Sequence, residues 1–154
     1  MPANLGGLVY GTIAVAALLA AESARRETYP RTVGAVAVTL ILYWVAHSYA
    51  EFAEERVQHE EHLSFRGLWV SALYELPVLF GAAVPFAVLL LCWALGVGLE
   101  AGVAAAVWTS AAMIVLIEIG IGVRAQLKGR ELLAQTLVGG LLGLLVVALR
   151  VLLH

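Results

Sequence analysis

Five long apolar runs, each ended by charged or turn-forming residues, leave this chain little choice of solvent. They extend from Leu5 to Ala21, Val33 to Phe52, Leu68 to Val97, Ala101 to Val123 and Leu132 to Leu153. A helix needs only about 20 mostly apolar residues to cross a hydrocarbon layer roughly 30 Å thick. Backbone exposed to lipid must satisfy its own hydrogen bonds, so each run is expected to be helical. The expected fold class is all-α, a polytopic membrane bundle of about five transmembrane helices. Composition agrees, with 62% hydrophobic and 13% charged residues, against roughly 45–50% and about 25% in soluble domains. No Pro/Ser-rich linker or charge block divides the 154 residues, so a single membrane domain over 1–154 is expected.

The charges that remain exclude some partners. A formal net charge of −2, with Lys and Arg almost entirely between apolar runs, offers no basic surface to nucleic acid. The lipid bilayer is the expected partner. The first run ends LLAAES, like a cleavage site, but lacks the positive n-region of a secretory signal and is read as a retained helix. Cys92, inside VLLLCWAL, is the single cysteine and reads as a small core residue. With a cytoplasmic N-terminus, Arg56, Arg66, Arg124, Lys128 and Arg130 fall inside, and Arg25, Arg26, Arg31 and Arg150 outside. The positive-inside rule favours that orientation by one charge. Trp69 fits an interfacial belt, and Trp44, Trp93 and Trp108 fit helix packing.

Small residues recur at helical spacing: Gly7 with Gly11, Gly98 with Gly102, and Gly139 with Gly143. Such pairs let membrane helices approach closely, so all six are expected at packing faces, and the last helix is expected at an interface. A short bundle has little interior of its own, which points to a homo-oligomer, most simply a two-fold dimer. The third run carries Pro77 and Pro85, each of which removes a backbone donor and kinks a helix. Either the prolines are merely tolerated, or a break after Glu75 turns carbonyls toward a cavity.

The second run and its extension, LILYWVAHSYAEFAEERVQHEEHL, hold most of the chemistry. Tyr43, His47, Glu51, Glu55 and His59 follow at steps of four and share one helical face. Beyond the membrane, Glu54, Glu55, His59 and His62 read either as a solvated acidic helix end or as a capture site for a divalent Fe, Mn or Zn ion. Inside it, an ionisable group must face a cavity or a partner. His47, Glu75 and Glu118 are such groups, and alternating helix direction brings them to one third of the bilayer. No basic residue lies at that depth, so a cation or protons must neutralise them. The expected ion pathway is Tyr43, His47, Glu51, Glu75 and Glu118, with Glu22 and Glu100 at the opposite face.

This organisation resembles the vacuolar iron transporter family, in EFAEERVQHEEH after the second helix, ELPVLFGAAVP in the third, and the ending GVRAQLKG followed by LVGGLLG. The resemblance implies five membrane helices, a Glu-rich cytoplasmic extension, dimeric assembly and iron transport. Where that family carries an Asp motif and an ion-path methionine, this chain has no Asp and only Met1 and Met113. LVYGTIAVAALLAAES and YWVAHSYAEFAEE also look like parts of small bacterial membrane proteins, which implies a bacterial plasma membrane and supplies no activity. The leading expectation is a transporter or channel for a divalent transition-metal cation, with proton coupling as an option. Two rivals stand beside it: an intramembrane metal-dependent hydrolase, which lacks an HExxH motif, and a non-catalytic assembly protein whose polar residues hold helices together.

Overall fold

The computed structural model describes residues 5–21, 28–59 and 65–153, with side chains for 6–21, 28–54 and 65–152. The chain is all-α: α1 (Leu5–Ala21), α2 (Tyr29–His59), α3 (Phe65–Tyr74), α4 (Leu76–Ala94), α5 (Leu99–Arg124) and α6 (Arg130–Leu153). Four helices, α2, α4, α5 and α6, are long and apolar enough to cross a membrane, and α1 is shorter. The protein is thus an integral membrane helical bundle. The expected third helix over 68–97 is two helices, α3 and α4, separated at Glu75.

The short α1 occupies the centre. It packs against α4, α5 and α6, and Val15, Ala16, Leu19 and Ala20 are wholly enclosed. On the far side of α4, α2 pairs with α3 and makes only a slight contact with α1. The other face of the bundle belongs to α5 and α6. Leu133, Leu137, Leu141 and Leu145 of α6 stay exposed, as lipid-facing residues do.

Close crossings account for the central position of α1. A methyl group at Gly11 would lie 1.8 Å from the Val78 carbonyl oxygen, and one at Gly81 would lie 2.1 Å from that of Leu8. The α1 and α4 backbones therefore touch where both lack a side chain. Gly7 is buried on α1 near this crossing. Gly139 and Gly143 face α5, where added methyls would meet the Glu118 side chain at 2.7 Å and the Ala111 carbonyl at 3.1 Å. Their packing is within one chain, so this glycine pair is occupied before any second copy arrives. Gly98 departs from the expectation. It is the exposed N-cap of α5, with nothing within 4 Å of an added methyl. Instead its carbonyl accepts the Tyr29 hydroxyl at 3.2 Å, while Gly102 makes room for that hydroxyl.

The two prolines behave differently. Pro77 lies in the first turn of α4, where no intrahelical donor is needed, and Glu75 before it takes φ −89° and ψ 4°, outside helical geometry. That ends α3. Pro85 lies inside α4, and its missing N–H leaves the Gly81 carbonyl without its usual partner. The Thr12 hydroxyl of α1 donates to that carbonyl at 2.9 Å, so α4 continues through the proline. At the end of α4, Gly96 adopts φ 71°, and the Gly96 and Val97 amides close onto Trp93 and Cys92.

Candidate functional site

The break between α3 and α4 delivers Glu75 to α2. Glu75 is 3% exposed, and its Oε2 lies 3.2 Å from His47 Nε2, an ion-pair distance. Steps of four along α2 bring Tyr43 and His47 to one face. Their rings lie 6.0 Å apart and nearly parallel, and Tyr10 of α1 stacks on both, at 5.3 Å from Tyr43 and 5.7 Å from His47. The Tyr43 hydroxyl is buried without a hydrogen-bond partner among the described residues. Two tyrosine rings thus wall the His47 side of the His47–Glu75 pair.

On another side lies a polar cavity of about 170 Å³, lined by Glu51, Val70, Ser71, Tyr74 and Glu75. Glu51 is exposed and Glu75 is buried, so the cavity runs from an accessible carboxylate to an enclosed one. Trp44 holds the other side of the break, its indole N–H donating to the Ala72 carbonyl at 3.0 Å. Ala72 lies in the last turn of α3, where carbonyls lack intrahelical partners. Charge stays balanced here in two ways: a carboxylic acid beside a neutral imidazole, or a carboxylate beside an imidazolium. The two states differ by one proton passed between Glu75 and His47, and both keep net charge out of the membrane interior.

Glu118 does not join this group. It is buried between α5 and α6, takes a hydrogen bond from the Gln135 side-chain amide, and packs on Gly139. Among the described residues no group of three or more His, Cys, Asp and Glu stands close enough to hold a metal ion. The expected convergence of His47, Glu75 and Glu118 is thus a pair, with Glu118 satisfied separately. Helix direction fixes depth but not azimuth, and α5 turns this residue to α6. Of the expected capture residues, Glu54 is exposed on α2. The side chains of Glu55 and His59, and His62 and Glu22 altogether, lie outside the described residues. Three contributors carry no sequence signal of their own: Tyr10, Trp44 and Gln135 read as ordinary packing or polar residues until their partners are known.

No family model matches the chain, and neither does any curated protein or solved structure.

Proposed function

We propose that the protein moves a cation across the membrane and that the His47–Glu75 pair is where the cation loads, with protons as the ion this site fits best. The observation behind this reading is the buried Glu75 carboxylate 3.2 Å from an imidazole, at the end of a polar cavity that opens at Glu51. A proton needs a single acceptor at a time, and the pair offers two: holding one proton it carries no net charge, and releasing that proton leaves one negative charge at the end of the Glu51 cavity, where the next proton enters. A divalent metal ion keeps three or more protein ligands in most sites, and the pair supplies two. The shared cavity of Glu51 and Glu75 favours a second reading, a proton-coupled divalent-cation transporter in which Glu51 becomes the third ligand. A homodimer belongs to either reading, with its contact on faces other than the occupied Gly139 and Gly143.

Liposomes holding the purified protein and an internal pH dye test this. Under an imposed potassium diffusion potential, wild type is expected to acidify the lumen, and Glu75→Gln and His47→Ala to lower that flux at least tenfold. Glu118→Gln is expected to retain it, because an amide preserves contact with Gln135. Absence of wild-type flux for H⁺, Mn²⁺ and Fe²⁺ would sink the transporter reading and favour an assembly role. Metal flux lost in Glu51→Gln would favour the second reading.

A further inference from the structure

A second hollow lies on the Trp44 and Ala72 side of the break, across α2 from the cavity of Glu51 and Glu75. It is a groove of about 550 Å³ between α2 and α3, walled by Leu42, Val45 and Tyr49 on one side and Phe65, Leu68 and Trp69 on the other. Two of its three polar side chains are already engaged: the Ser48 hydroxyl donates to the Trp44 carbonyl at 2.8 Å, and the Trp44 indole to that of Ala72, which leaves the exposed Tyr49 hydroxyl. A polar ligand therefore finds little beyond the Tyr49 hydroxyl here, whereas a hydrocarbon chain needs no partner. From Phe65, in the first turn of α3, the groove descends along α2 to Leu42, about two helical turns below Tyr49.

Its upper end is charged. Phe65 and Trp69 also wall a shallower hollow that includes Arg66 and Val70. Arg66 is exposed and makes no ion pair with a described residue. The positive end of the α3 dipole adds to its charge. Guanidinium binds phosphate through paired donors, and Trp69 beside it has the amphipathic ring favoured at headgroup depth. A hydrocarbon slot below a cation at the membrane surface matches the two halves of one molecule. We infer that this groove is a binding site for an anionic phospholipid, with one acyl chain between α2 and α3 and the headgroup phosphate on Arg66. A second copy fits less well, because a two-fold contact here brings a second Arg66 to the same patch. The inference is independent of the ion handled at Glu75.

Trp44 and Trp69 make the groove self-reporting. In a Trp93→Phe/Trp108→Phe background only these two indoles fluoresce, and the protein is reconstituted into phosphatidylcholine vesicles with rising fractions of brominated lipid. Brominated phosphatidylglycerol is expected to quench at least twofold more than brominated phosphatidylcholine at equal fraction. Arg66→Gln is expected to abolish that preference and Arg66→Lys to keep it. Ala46→Phe, which fills the groove from α2, is expected to reduce quenching by both lipids. Equal quenching by both lipids in the parent protein means unselective lipid contact and overturns the proposal. So does a preference that survives Arg66→Gln. Protection of both indoles from either lipid means that another occupant, such as a second copy, fills the groove, and it too overturns the proposal.

Discussion

Gly11 and Gly81 sit where two backbones meet, and neither carbonyl opposite them is the end of a flexible side chain. A methyl group at either position overlaps main chain rather than displacing a rotamer. Overpacking of this kind costs about 1–3 kcal/mol, and a backbone obstacle moves it to the upper end. Gly11→Ala is therefore expected to lower the thermal unfolding midpoint in detergent clearly. Gly140→Ala, where nothing lies within 4 Å of the new methyl, is expected to leave it unchanged or slightly raised. Equal behaviour of the two variants would dismiss the crossing as a constraint. The spacing of Gly7 and Gly11 announces a close approach but not its partner, because Gly81 stands alone in its own helix. Gly98 has the same spacing to Gly102 and a different role, since spacing assumes both residues are already helical. His47 and Glu75 were readable as titratable groups needing a partner from cost alone, though only Glu75 is fully buried, whereas Glu118 needed Gln135 to explain it.

Two prolines in one apolar run produced one break and one continuous helix, and the difference lies outside the run. Pro85 is accommodated because Thr12, from a helix 69 positions away in sequence, donates to the Gly81 carbonyl. No local pattern contains that information. Pro77 comes after Glu75 at a true helix start, and the carbonyl of Ala72 on the preceding end is taken by Trp44. Trp44→Phe keeps a ring and removes the donor, so a backbone carbonyl loses its partner at a cost of about 1–2 kcal/mol. Thermal unfolding in detergent is expected to show that loss, with Trp108→Phe, an exposed ring, near wild type. Equal midpoints would mean that the Ala72 carbonyl finds another donor. The kink itself was legible in the sequence. Its exact seat, and the way it carries Glu75 to His47, depended on contacts between helices.

Five crossings of the bilayer follow if α1 spans it, and α1 is only 17 residues, or about 25 Å. Its C-terminal end nevertheless lies level with a helix start and a helix end. The Arg150 guanidinium, near the end of α6, reaches the carbonyls of Leu19 and Glu100 at 3.4 Å each, joining the end of α1 to the start of α5. Reporter fusions are expected to place the N-terminus and the loop at 125–129 on the same face, and the loop at 95–98 on the other. An N-terminus opposite the 125–129 loop would mean that α1 does not cross. The number of apolar runs was plain from the sequence, but the central place of the shortest was not, because burial among helices and burial in lipid select the same residues. That central place has a consequence for biogenesis. α1 precedes the helices that enclose it, so its Thr12 hydroxyl meets Gly81 only after α4 has entered the membrane, and its enclosure is complete only with α6. Insertion and enclosure are therefore separated in time, and the earliest segment stays partly uncovered until the final helix enters.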